Sequence, residues 1–299
     1  MKVCYFIQTH KNPNQIYRLV RTIKQSSPTA QVLLGHDFTT CPLDMTPIQN
    51  LSEVYLLRSD VLPIRGDFSL LQPYLNAINW LFEHNSDFEW LIYISGQDYP
   101  TQPLSKIEEY LANTEYDGFI QYWDVASRSA QNNLKRYFYQ YYRFPEWTRW
   151  LLKRISSIQK FTPIHYYFTY GLLVGLPAKS TPFNEKFICY RGSQWHTLSR
   201  KCIYFIQDFV SSHPDLVNYY RKTIAPDESF IQTILVNSNL FKLCNDHKRF
   251  LEFLPGESHP RLLTSKDYST ISNGSFHFAR KFDLEQNIEL VNMLDNFIL

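Results

Sequence analysis

Val3-Cys4-Tyr5-Phe6-Ile7-Gln8-Thr9 is an apolar run that closes on two polar residues, and it reads as a short buried strand. Behind it, Asn14 to Lys24 carries Ile16, Leu19, Val20 and Ile23 at helical spacing, so the chain opens β then α. The pattern continues outward. Val32 to Leu34 is a second apolar run, ending at Gly35-His36-Asp37; Val54 to Leu57 is a third; Trp90 to Ile94 is a fourth, stopping at Ser95-Gly96. Between the last two, Phe68, Leu71, Leu75, Ile78, Leu81 and Phe82 make one face of a helix. Strands alternating with helices predict an α/β fold, a mostly parallel central sheet with helices on both faces. Such sheets bind ligands beyond the carboxyl ends of their strands.

With 299 residues, 44% of them hydrophobic, the chain can bury a full core, and a single domain over 1–299 is expected. The second half is expected to hold helices at Leu198 to Phe209, Asp227 to Asn237, Lys266 to Ile271 and Leu284 to Phe297. A formal net charge of +2 supplies no global field for nucleic acid, so any basic surface must be local. Five cysteines, an odd set with no C-x-x-C pair, favour free thiols in a reducing cytosol. The start MKVCYFIQTH has too short an apolar run for a signal peptide, and no stretch approaches a membrane span; a cytoplasmic protein is expected. Residues 125–170 break the α/β pattern as a basic, aromatic, helical excursion. Arg128, Lys135, Arg136, Arg143, Arg149, Lys153, Arg154 and Lys160 lie among many rings, with Glu146 the only acid between 125 and 165. That segment is read either as a solvated excursion or as a peripheral contact with an anionic membrane or lipid-linked acceptor.

Four segments carry candidate chemistry. Tyr93-Ile94-Ser95-Gly96-Gln97-Asp98-Tyr99-Pro100 is a strand running into a loop, where Asp98 can act in a site or merely cap backbone N–H groups. Gly192-Ser193-Gln194-Trp195 offers close backbone approach and an indole face. Pro226-Asp227-Glu228-Ser229-Phe230 starts a helix with Glu228 in its first turn; that setting suits an ionised base, though such residues are more often caps. Phe278-Ala279-Arg280-Lys281-Phe282-Asp283 sets two adjacent cations between aromatics, and an Arg fork with a Lys point charge suits a diphosphate.

In their order these segments resemble the core-2/I-branching β-1,6-N-acetylglucosaminyltransferases and peptide-O-xylosyltransferases. The resemblance runs from Tyr5-Phe6-Ile7-Gln8-Thr9-His10 through Arg65-Gly66-Asp67-Phe68-Ser69-Leu70-Leu71, Ser95-Gly96-Gln97-Asp98-Tyr99-Pro100-Thr101 and Gly192-Ser193-Gln194-Trp195. It closes with Glu228-Ser229-Phe230, His259-Pro260-Arg261 and Phe278-Ala279-Arg280-Lys281-Phe282-Asp283. It implies a GT-A-like, Rossmann-type nucleotide-sugar fold and an inverting, metal-independent transferase. Residues 1–124 would be the nucleotide-binding half and 171–299 the acceptor and diphosphate-binding half. Glu228 then matches the catalytic carboxylate, Arg280 and Lys281 the diphosphate-binding pair, and Arg261 a further phosphate-directed base. Asp37 looks like the uridine-contacting acid, while Trp195, Gln194 and Asp98 fall in the acceptor and donor-sugar region.

Two departures bear on the donor: Gln194 stands where the xylosyltransferases have aspartate, and Arg65 where they have tryptophan. The expectation is therefore transfer of a sugar, with GlcNAc the first choice, from a UDP donor to a hydroxyl of a glycan or lipid-linked glycan, with no cofactor or metal. The alternatives are a catalytically silent UDP-sugar or glycan-binding module, and a xylosyltransferase-like enzyme using UDP-xylose. The nearest metal-ligating candidate, Asp87-Phe88-Glu89, precedes the Trp90 strand and so lies at the wrong end of the sheet. The lack of a leader or anchor suggests a bacterial member making a surface polysaccharide or lipooligosaccharide.

Overall fold

A computed structural model describes residues 1–58, 61–127, 131–156, 162–257 and 259–299. Strands β1 (Val3–Thr9), β2 (Gln31–His36), β3 (Val54–Leu57) and β4 (Trp90–Ser95) are all parallel, in the order β4-β1-β2-β3. Beyond β4 the sheet continues through Thr197–Ser199, antiparallel to both its neighbours, to Gly118–Phe119 and Leu243–Cys244. Four of the six pairings in this seven-stranded sheet are parallel, so the expected α/β architecture is met.

Both faces of the sheet are covered, as the apolar runs require. Tyr5 and Ile7 of β1 and Ile92 and Ile94 of β4 pack with helix α1 (Pro13–Ser26) and the terminal helix Leu284–Ile298. Cys4 and Phe6, pointing the other way by the two-residue strand period, pack with helix α2 (Gln72–Glu83) and the helices Arg200–Ser212 and Phe230–Ser238. The chain leaves β1 toward β2 and β3, then returns to β4 on the opposite side of β1. That reversal opens a crevice at the carboxyl ends of β1 and β4.

Three local expectations need correction. Thr197–Ser199 is a strand, and the helix read from Leu198 begins at Arg200; three side chains that alternate in a sheet are too few to separate from helical spacing. The turn Pro226–Glu228 is 3-10, and the α-helix starts at Phe230 because Ser229, at φ −140°, interrupts the helical backbone between them. The excursion is not wholly helical. Strands Tyr139–Arg143, Leu173–Pro177 and His165–Tyr167 form a separate antiparallel sheet, with the helices Gln131–Phe138 and Arg149–Ser156 beside it. Arg128 and Lys160 lie outside the described residues.

A two-strand pair, Tyr122–Asp124 with Tyr190–Gly192, leads into the crevice. A Cβ on Gly192 would lie 1.7 Å from the Gln121 carbonyl oxygen, a backbone atom that no side-chain rotation can move aside. Gly192→Ala must part this strand pair and is expected to lower stability by about 1–3 kcal/mol, read as a drop in denaturant midpoint. An unchanged midpoint would show that the pair is free to open.

Candidate active site

The crevice deepens into a cavity of about 1020 Å³ at the carboxyl ends of β1, β2 and β4. One wall is built by a second three-stranded sheet in which Phe278–Arg280 lies between Arg249–Phe250 and Asp98–Pro100. Its register sets Arg280 directly opposite Asp98, and Arg280 Nε stands 3.4 Å from Asp98 Oδ1. Asp98 is itself held by the Ser95 backbone N–H, which donates to Oδ2 at 2.5 Å. The Arg280 guanidinium also lies 4.2 Å from the centroid of the Trp195 ring, a cation–π contact. Its Nη1 is buried with no hydrogen-bond partner among the described residues, a donor still to be satisfied.

Next to it, Lys281 is drawn down to about 8, first by burial and then by Arg280, Arg65 and Lys11. Arg249 adds a third cation to this wall. Its Nη groups donate to Thr197 Oγ1 and to the Tyr93 and His196 carbonyls, its Nε has no hydrogen-bond partner among the described residues, and burial pushes its pKa down to about 10. Several positive groups crowded together, with unspent donors, suit an anion of matching charge.

At the mouth, Asp37 follows β2. Its Oδ1 accepts from the Thr39 N–H and hydroxyl, at 2.9 and 2.6 Å, and its Oδ2 from the Thr40 hydroxyl. Burial would raise it, but these hydrogen bonds outweigh that and its pKa falls below the usual value.

The other end of the cavity is the Pro226–Glu228 turn. Ala225 enters it with left-handed backbone at φ +53°, and the Ala225 N–H donates to the Gly66 carbonyl, which ties the turn to the loop after β3. Glu228 Oε2 accepts from Arg191 Nη2 at 2.5 Å and sits 3.4 Å from Arg136 Nη1, with the side chain still 30% exposed. Asp227 is almost fully buried, its Oδ1 has no hydrogen-bond partner among the described residues, and burial followed by the Glu228 charge pushes its pKa well above the carboxylate range. Between the two ends, Gln194 Nε2 donates to Tyr93 Oη at 2.6 Å, and Tyr93 Oη donates to Gln8 Oε1.

The structure therefore brings Asp37, Gln194, Trp195, Glu228, Arg280 and Lys281 to one cavity. Asp98 stands behind the wall, positioning Arg280, and is not on the cavity surface. Arg261 is not on it either. Its guanidinium is bracketed by Glu252 at 2.5 Å and Asp267 at 2.6 Å, a pairing that raises its pKa, so its charge is already committed. Asp87 pairs with Lys2 and Arg200 at the far end of the sheet.

Sequence reasoning did not single out Arg249, Arg191, Arg136 or Asp227 for the site. Lys248-Arg249-Phe250 repeats the basic-pair-beside-aromatic pattern of Arg280-Lys281-Phe282 and could have been found by it. The two arginines on Glu228 come from distant strands and helices, and nothing in their local sequence announces them.

A β-glucuronosyltransferase, GlcAT14A of Arabidopsis thaliana, is 23% identical over 224 residues, covering 72% of this chain and 44% of the relative; the chain thus spans less than half the length of that protein. Among solved structures, the galactosyltransferase LgtC in complex with donor and acceptor sugar analogs superposes with a TM-score of 0.43 at 8% identity, covering 94% of this chain and 87% of that one. The Staphylococcus aureus TarS fragment 1–349 in complex with UDP-GlcNAc gives 0.31 at 14% identity, over 46% and 38% of the two chains. The profile of the Core-2/I-Branching enzyme family matches residues 5–277, nearly the whole sequence, and the chain belongs to that family.

Proposed function

We propose that the chain is an inverting glycosyltransferase that moves a sugar, N-acetylglucosamine in the first instance, from a UDP donor to a hydroxyl of a glycan or lipid-linked glycan without a metal ion. The observation that carries the reading is that Glu228 and the cations Arg280 and Lys281 line one cavity. Its volume of about 1020 Å³ suits a nucleotide sugar together with part of an acceptor.

In a single displacement, the Glu228 carboxylate accepts the proton of the acceptor hydroxyl as its oxygen bonds to the anomeric carbon. The bond from that carbon to the diphosphate breaks on the opposite side. Its electron pair goes to the departing phosphate oxygen, and Arg280 and Lys281 stabilise that charge with donors already in place. The configuration at carbon inverts. Asp37 at the mouth serves the uridine end, and Trp195 with Gln194 serves the sugars. Five unpaired thiols fit work in a reducing compartment.

One observation favours a binding-only alternative: Arg191 and Arg136 both pair with Oε2 of Glu228, so this carboxylate has a structural role as an ion-pair partner even though Oε1 is left to take a proton. Turnover decides between the two. With purified protein, UDP-GlcNAc and a glycan acceptor, UDP release is expected to persist in EDTA and to fall at least about 10²-fold in Glu228→Gln. Tight UDP-sugar binding with no turnover would establish the binding module, and activity restored only by added divalent metal would overturn the role given to the cations.

The lowered pKa of Lys281 supplies a second test. The charged ammonium is the form that binds diphosphate, so its contribution is complete below about 8 and is lost as the pH rises through that value. By calorimetry, UDP affinity is expected to weaken by up to about tenfold per pH unit above that point. In Lys281→Arg the guanidinium keeps its charge and the dependence should vanish. A wild-type profile that is flat from neutral to alkaline pH would remove Lys281 from the diphosphate site.

A further inference from the structure

The small antiparallel sheet carries a surface that the transferase reading does not use. Tyr142 and Phe144, at and after the end of the strand Tyr139–Arg143, are exposed, and the turn and helix that follow expose Trp147, Trp150 and Leu151. The two indoles are 77% and 67% exposed, far more than aromatic side chains of that size normally are. Trp147, Trp150, Leu151 and Arg154 stand at i, i+3, i+4 and i+7, so they share one side of the helical segment. The opposite side is already occupied. Leu152 is buried with Tyr166 and Leu172, and Ile155 packs against the same cluster. This segment is apolar on two sides, and the described residues cover only one of them.

Charge indicates what covers the other. Arg143, Arg149, Lys153 and Arg154 lie among these rings, and Glu146, bonded to Arg149 at 2.6 Å, is the only carboxylate from residue 139 to 156. From a neighbouring segment, Lys222 sets its ammonium 5.9 Å from the centroid of the Tyr142 ring.

We propose that this face docks on an anionic lipid bilayer. Indole rings settle at the headgroup level, where the ring body leaves water and the N–H stays hydrated, while cations around them meet acidic headgroups. Among the described residues no helix is long and apolar enough to cross a membrane, so the contact is peripheral. Its position suits an acceptor carried by lipid. Arg143 Nη1 donates to the Tyr170 carbonyl at 2.8 Å, and the Tyr170 ring lies at the cavity with Arg65 stacked 5.2 Å from its centroid. Arg136, just ahead of the strand, reaches Glu228. The docked face thus adjoins the Glu228 end of the cavity. The proposal goes beyond the transferase reading and stands whichever sugar is moved.

The test is co-sedimentation of the intact chain with vesicles of phosphatidylcholine alone and of phosphatidylcholine mixed with phosphatidylglycerol, at low and high salt. Binding is expected to the acidic vesicles, to weaken with salt, and to fall at least about tenfold in Lys153→Glu/Arg154→Glu. Trp147→Ser/Trp150→Ser, at positions too exposed to hold the fold together, should lose binding while keeping the wild-type melting temperature and UDP affinity. Equal binding to neutral vesicles, or none to acidic ones, would overturn the proposal. So would self-association of the wild type that the tryptophan variant abolishes, since the face would then be covered by a second copy of the chain.

Discussion

The site depends on a guanidinium kept out of water. Arg280 lies at the end of a strand packed into the apolar layer between the central sheet and the terminal helix, with Phe278 and Ala279 fully buried beside it. A charge in that position is tolerable only with a carboxylate at hand, and the antiparallel register supplies Asp98 directly across the strand pair. Asp98 does a second thing. By accepting the Ser95 N–H it fixes the turn that leaves β4, so one carboxylate ties the cationic wall to the sheet that shapes the cavity. Removing it would leave Arg280 buried and unpaired, a defect that typically costs about 3–5 kcal/mol. The pair is better understood as setting position than as adding stability.

Around that pair the protein sorts which groups hold charge. His196, His247 and His277 lie near Arg249, and burial, reinforced by that cation, pushes them down to about 3, 4 and 3. They are neutral throughout the physiological range and leave the positive field to the arginines and Lys281. A chain whose net charge, counted with histidine neutral, is only +2 still presents a cationic wall in one place. The field is local because folding brings Arg249, Arg280 and Lys281 together from two separate segments.

Much of this was legible in the sequence, and the rest was not for identifiable reasons. The four parallel strands were readable as continuous apolar runs, and the helices between them by apolar residues at helical spacing. Strands of two or three residues, such as Phe278–Arg280 and Arg249–Phe250, carry no period at all and exist through their neighbours in space. The Arg280–Lys281 pair was visible because it sits between aromatics just ahead of a helix and matches a motif of the resembled family; the same composition at Lys248-Arg249-Phe250 was not singled out, so the pattern alone does not select a site. Asp98 was visible as a residue of interest, but its work behind the wall could come only from the register. Arg261 shows the limit of carrying a role by motif: its position matches, yet Glu252 and Asp267, nine residues before it and six after, claim its guanidinium.

The two adjacent carboxylates of the Pro226–Glu228 turn show the same sorting at the other end of the cavity. They share a backbone turn but not an environment. Glu228 reaches toward the opening, where Arg191 and Arg136 approach it, whereas Asp227 is turned inward with an oxygen that no donor meets. Two like charges side by side repel, and the one that is both dehydrated and unpaired yields first; burial and the Glu228 charge together raise the Asp227 pKa. The left-handed Ala225 that enters the turn, and the non-helical Ser229 that leaves it, keep this segment from continuing as a regular helix.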